Sequence, residues 1–210
     1  MPIEEALYPV NLRIRGYRCL VVGGGQVALA KTEGLLEAGA RVDVIAPDPV
    51  PDLENRERVT VHRRRYRSGD VVGYRLVVAA TGNREINAQV YRDGESSGVW
   101  VNSADDPENC SFTLPSKMRR GPIMVTCSTG GHSPALSRWL RRRFEEEIGP
   151  EYETLLGLLS EARERFRAAG VSTEDLAWQQ ALDSGMLEMI RSGETRRARD
   201  IVDRLVDNPG

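Results

Sequence analysis

The stretch RCLVVGGGQVALAK limits what this chain can fold into more than any other. Arg18 to Val22 is a short apolar run that ends directly on Gly23, Gly24 and Gly25. Helical spacing follows through Leu29, Thr32, Leu35 and Leu36, and Gly39 stands where such a helix should stop. Further strand-like runs, RVDVIAP, VTVHRRRY, YRLVVAAT and VWVN, come next, with a helical stretch around Ile86 to Tyr91 before the last. Strands alternating with helices at this spacing predict a parallel sheet wound on both sides.

Gly23 to Ala28 reads G-x-G-x-x-A between strand and helix. In that setting the first glycine allows the tight turn, and Gly25 lets backbone approach a pyrophosphate. The small Ala28 lets the helix lie close to the sheet. The N–H groups at the helix start would then face phosphate oxygens. The same fingerprint places an acid at the end of the second strand, to hold the adenosine ribose. Here that tip reads Ile45-Ala46-Pro47-Asp48, so Ala46 takes the usual position and Asp48 follows two residues later. Asp43 lies inside the strand, where alternation turns it away from Val42 and Val44. No arginine stands at the tip itself, and the choice between the two nicotinamide dinucleotides stays open.

Composition narrows the class. Of 210 residues, 40% are hydrophobic and 29% charged, which describes a soluble globular chain rather than a disordered one. No charged leader with an apolar run opens the sequence, and no stretch reaches the roughly 18 apolar residues of a membrane span. A cytoplasmic address without membrane contact is the expectation. Cys19, Cys110 and Cys127 lie far apart, which argues for free thiols over a disulfide framework or zinc knuckle. No cluster of ligand types suggests a resident metal. Net charge is −2, and Arg63 to Arg65 read as a solvated face. The slightly acidic balance, without aromatic interleaving, argues against nucleic acid. A second basic cluster, Lys117, Arg119, Arg120, Arg138 and Arg141 to Arg143, suits a small, highly anionic ligand.

Beyond Phe112 the pattern changes. SFTLPSKMRRGPIMVTCST predicts two strands joined around Arg120-Gly121-Pro122, and the loop STGGHS leads into a helix beginning at Ser133 and Pro134. Leu136, Trp139, Leu140, Phe144 and Ile148 form one apolar stripe on it. After Pro150 the chain reads as helical and charged, without repeats. The expected domains are 1–112, 113–149 and 150–210. The stretch WVNSADDPENCSF ends the alternating part, with Asp105 and Asp106 after a strand-like run. By itself it reads as a turn.

In order, VVGGGQVALAK, LLEAGARVDVIAP, VVAATGNREIN, VNSADDPENCSF and PIMVTCSTGGHSPALSRWLR resemble the precorrin-2 dehydrogenase family, which includes a module of siroheme synthase. The resemblance covers residues 5 to 150. It implies a Rossmann-type doubly wound sheet, followed by a small α+β dimerisation region and a C-terminal helical domain. It also implies NAD-dependent conversion of precorrin-2 to sirohydrochlorin by a homodimer, with ferrous iron as a further substrate in members that also make siroheme. The family's N-x-x-D-x-P pattern falls on Asn102, Asp105 and Pro107, which makes Asp105 the expected catalytic residue. A carboxylate there would take the proton released as hydride leaves the macrocycle. The dinucleotide is assigned to Gly23, Gly24, Gly25, Gln26, Val27, Pro47, Asp48, Thr81 and Asn102. The carboxylate-rich tetrapyrrole is assigned to Ser128, Thr129, Gly130, His132 and Arg138. Two alternatives stay open: a dehydrogenase that is also a ferrochelatase, and a non-catalytic dinucleotide-binding regulatory module.

Overall fold

A computed structural model of the chain describes residues 3–104, 106–170 and 178–207. The chain divides into two units, one running through Leu114 and including Gly130–Ser133, the other holding Pro115–Thr129 and the chain from Pro134 onward.

The first unit is a five-stranded parallel sheet in the order β3-β2-β1-β4-β5. Its strands are β1 (Arg18–Val22), β2 (Arg41–Ile45), β3 (Val59–His62), β4 (Leu76–Ala79) and β5 (Trp100–Ser103). Helix α1 (Gln26–Glu37) joins β1 to β2, the single turn α2 (Pro51–Glu54) precedes β3, and α3 (Arg84–Ser97) joins β4 to β5. β1 and β4 are apolar on both faces because both faces are covered, as parallel strands require. Val21, Val42, Val44 and Val78 pack under α1, while Leu20, Val22, Val77 and Val101 pack with Val90 of α3. This is the doubly wound Rossmann-type sheet that the alternation predicted. The winding reverses between β1 and β4, and in sheets of this kind that is where ligands bind, beside the carboxyl ends of the strands.

Several elements differ in length from the sequence expectation, YRLVVAAT among them, whose strand is only Leu76–Ala79. VTVHRRRY stops being a strand at His62. β3 is an edge strand, and the next two guanidiniums turn to carboxylates off the sheet, Arg63 to Glu54 at 2.8 Å and Arg64 to Asp70 at 2.6 and 2.9 Å. The helical stretch around Ile86 extends over fourteen residues, from a cap at Asn83, whose Oδ1 accepts the Glu85 and Ile86 N–H groups, to left-handed Gly98. Its buried face consists only of Asn87, Val90 and Gly94. Gly94 is required there, since a Cβ would lie 2.3 Å from Val101 Cγ2.

The second unit begins with the antiparallel hairpin β6 (Ser116–Arg120) and β7 (Ile123–Cys127), which turns at Gly121. Helix α4 (Pro134–Glu147) packs on it, and Arg120 anchors the far end by donating to the Ile148 and Glu145 carbonyls. α5 (Glu151–Ala168), α6 (Trp178–Asp183), α7 (Met186–Arg191) and α8 (Thr195–Asp207) enclose a third core around Phe166. Trp178 meets the Phe166 ring edge-on. The apolar stripe expected on α4 is largely exposed in the single chain: Leu136 47%, Trp139 49% and Phe144 36%. No helix among the described residues is long and apolar enough to cross a membrane.

Candidate dinucleotide site at the carboxyl edge of the sheet

The three glycines after β1 differ in what holds them. Gly23 has φ 131°, and a Cβ on it would lie 2.2 Å from the Ala80 carbonyl oxygen, so the turn presses directly on the end of β4. Gly24 would strike Ala46 Cβ at 2.7 Å and Pro49 Cα at 2.8 Å, and its carbonyl accepts the Val50 N–H at 2.8 Å. The fold itself therefore demands both. Gly25 is different: its backbone is ordinary extended chain, φ −87° and ψ −171°, and nothing lies within 4 Å of where its Cβ would be. It is also the N-cap of α1, a position at which Ser or Asp would stabilise the helix. The chain leaves that space empty, in front of uncapped N–H groups, and a pyrophosphate at a helix N-terminus fits such a cradle. Gln26 and Val27 are exposed beside it, and Ala28 is fully buried against the sheet.

The tip of β2 lies next to this turn. Ala46 is buried under Gly24, while Pro47 and Asp48 are exposed. Asp43 is occupied elsewhere: Arg18 donates to it at 3.0 and 3.2 Å, and His62 Nε2 lies 3.2 Å from its other oxygen. On the other side of the switch point, the Thr81 hydroxyl donates to Asn87 Oδ1 at 2.7 Å and accepts the Asn83 N–H at 3.1 Å. Its side chain shapes the loop after β4.

The loop after β5 is built from side chains. Asn102 points inward, donating to the Phe112 carbonyl at 2.9 Å, so its amide closes the loop. Sequence reasoning gave Cys110 no role, yet its sulfur ties the loop together. It accepts the Ser103 N–H at 3.2 Å and lies 3.3 Å from the Asp106 carbonyl and 3.4 Å from the Ser103 carbonyl. Burial raises this thiol above its ordinary value, which keeps the S–H needed for donation. The nearest sequence signal is the short Ser103–Cys110 spacing at a strand end, which becomes legible only once the loop is folded. Asp106 is 7% exposed and accepts Asn109 Nδ2 at 2.8 Å. Asp105 lies outside the described residues.

The remaining assigned positions fall in both units, Ser128 and Thr129 in the second and Gly130 to Ser133 in the first. Thr129 Oγ1 lies 3.1 Å from the buried Ser137 hydroxyl of α4. Gly130 and Gly131 both have left-handed φ, and the Gly130 carbonyl accepts the Ile3 N–H at 2.8 Å. His132 is exposed. Arg138 is exposed without a hydrogen-bond or ion-pair partner among the described residues, whereas Arg141 holds Glu145. Among the described residues, no group of three His, Cys, Asp or Glu side chains is arranged to hold a metal ion.

Residues 10–116 match a family model described as "Putative NAD(P)-binding". The siroheme synthase of Nitrosococcus oceani is 36% identical over 204 residues, covering 95% of this chain and 44% of that protein. Siroheme synthase 2 of Aeromonas hydrophila is 37% identical over 182 residues, 85% of this chain and 39% of the relative. The chain thus spans less than half the length of these relatives. A solved structure titled "SirC, precorrin-2 dehydrogenase" has the same fold, with a TM-score of 0.73, 23% identity, and coverage of 96% of this chain and all of the other.

Proposed function

This chain belongs to the NAD(P)-binding family, and on that premise we propose that it is a dehydrogenase taking precorrin-2 to sirohydrochlorin with NAD. Gly25 carries the dinucleotide part of the reading: it is a glycine that the fold does not require, at a helix N-terminus with open space before it. Similarity to siroheme synthases along 95% of the chain supports the substrate. The dinucleotide, held along Gly23 to Val27 with Pro47 and Asp48 at the adenosine end, would supply the hydride acceptor. Thr81 and Asn102 support the two loops flanking that crevice through their hydrogen bonds.

Asp105 is the proposed catalytic residue, the carboxylate that takes the proton lost from the macrocycle. What supports it over its neighbour is that Asp106 is buried and committed to Asn109. Ser128, Thr129, Gly130, His132 and Arg138 are the proposed contacts to substrate carboxylates. The exposed Arg138, without a hydrogen-bond or ion-pair partner among the described residues, supports this.

Absorbance tests the reading directly. Precorrin-2 with NAD and protein should give the sirohydrochlorin spectrum, and NAD binding without turnover would leave a regulatory module instead. Ferrous iron or cobalt, added afterwards as substrate, changes the spectrum further only if the chain is also a chelatase. We also propose a homodimer, supported by the exposed stripe on α4, since symmetric pairing is the commonest way to cover such a face. Sedimentation should then give about twice the 23.4 kDa chain mass. An Asp105→Ala chain mixed with an Arg138→Glu chain should regain activity if the two subunits share sites.

A further inference from the structure

The rim beyond β2 and β3 carries more charge than a dinucleotide turn requires. The two strands run in register with Ile45 opposite His62, and the Ala46 N–H donates to the His62 carbonyl at 3.2 Å. Arg63 is therefore the first side chain past β3, on the strand beside the Ala46–Asp48 tip. In sheets wound this way, an acid at that tip binds the ribose 2′-hydroxyl of NAD, and a nearby arginine accommodates the 2′-phosphate of NADP. This chain has both.

Asp48 is exposed, with no hydrogen-bond or ion-pair partner among the described residues. Arg63 is occupied, its Nε donating to Glu54 Oε1 at 2.8 Å. Glu54 ends α2, and α2 is anchored on the glycine turn: Leu53 is fully buried, and the Val50 N–H donates to the Gly24 carbonyl. The hydrogen bond that Arg63 donates to Glu54 and the charge of Glu54 hold the Arg63 guanidinium above its ordinary value, and Asp48 adds to the same field, so the two carboxylates act on one cation. Neighbouring arginines are engaged as well, Arg56 by Glu33, Arg58 by the Leu36 carbonyl and Arg64 by Asp70. Arg65, two residues along, is exposed.

We propose that Glu54 is a specificity-determining residue: by holding Arg63 it withholds the rim cation nearest the Ala46–Asp48 tip from a 2′-phosphate, so that Asp48 meets the ribose and NAD is chosen over NADP. The proposal rests on the dinucleotide reading of the glycine turn and adds what sets the choice of cofactor. The pair is half-exposed, and ion pairs of this kind are weak, so the selectivity it confers is at most about fivefold rather than absolute.

Calorimetric titration of NAD and NADP into the full-length protein tests it without any turnover. Wild type should bind NAD more tightly than NADP. Glu54→Gln should tighten NADP about three- to fivefold and change NAD less than about twofold, and adding Arg63→Ala should abolish the gain. Arg63→Ala alone should leave both affinities within about twofold, which keeps the proposal testable if Glu54→Gln folds poorly. It is overturned if Glu54→Gln melts like wild type without gaining NADP affinity, or if the gain survives Arg63→Ala and is lost with Arg65→Ala. A large loss of NADP affinity in Arg63→Ala alone would also overturn it, because Arg63 would then already reach the phosphate. Wild type that prefers NADP refutes this proposal and leaves the glycine turn standing, whereas wild type that binds neither dinucleotide refutes the reading of the turn itself.

Discussion

The turn after β1 and the loop after β5 leave the same edge of one sheet and are built from opposite materials. The first works by the absence of side chains: Gly23 and Gly24 let neighbouring backbone close in, and Gly25 keeps a space open before a helix N-terminus. The second works by their presence, with Asn102, Asp106 and Cys110 all turned inward to hold the loop. Binding a pyrophosphate needs room and backbone N–H groups, whereas moving a proton needs a carboxylate free to exchange it. If that division of labour holds, substitutions in the two loops should separate affinity from turnover.

The largest effect should come from the loop after β5. Asp105→Ala should lower turnover about 10³-fold, the usual scale for a lost acid–base group, while NAD affinity measured by titration stays within about twofold. Asp106→Ala serves as the matched comparison. It should cost about 1–2 kcal/mol of stability in a thermal melt, through the lost Asn109 bond, with a smaller fall in turnover. Should Asp106→Ala abolish turnover in a protein that melts normally, the two aspartates have exchanged roles.

Next come the glycines. Gly25→Asp should weaken NAD binding about 100-fold by bulk and by charge against phosphate, yet melt no lower than wild type, because the space it fills is open and Asp suits an N-cap. Gly23→Ala should do the reverse of a binding defect, lowering stability by about 2–4 kcal/mol through a left-handed φ and a clash with the Ala80 carbonyl. Equal melting temperatures for the two variants would remove the distinction between a glycine kept for the fold and one kept for a ligand.

That distinction marks where the sequence stops being legible. β1 and β4 could be read directly, because strands buried on both faces must be apolar throughout. Gly23, Gly25 and Ala28 could be read because the fingerprint fixes their spacing. The reason for Gly24 could not, since it lies in contacts with Ala46 and Pro49 that exist only after α1 has crossed the sheet. For the same reason β3 looked longer than it is: Arg63 and Arg64 continue a strand-like run, and only the positions of Glu54 and Asp70 end it. α3 looked shorter than it is because so few of its residues are buried, and its caps at Asn83 and Gly98 delimit it better than its periodicity does. In the loop after β5, resemblance pointed to Asp105, but that Asp106 is spoken for depends on the loop's own hydrogen bonds.

The smallest effect is expected at the third loop, STGGHS, which tests whether it belongs with the first kind or the second. Gly130 and Gly131 have φ 57° and 82°, so the loop's shape depends on residues without side chains, as at the glycine turn. His132 is exposed and its imidazole has no hydrogen-bond partner among the described residues. His132→Ala should therefore change kcat/KM for precorrin-2 by about twofold at most, the usual range for an exposed side chain, with no change in melting. Gly131→Ala should cost more, about 1–2 kcal/mol of stability, because alanine resists that φ. A loss in His132→Ala as deep as in Asp105→Ala would place the loop with the second kind, built on side chains, and would give the imidazole a part in turnover beyond the proposed substrate contact.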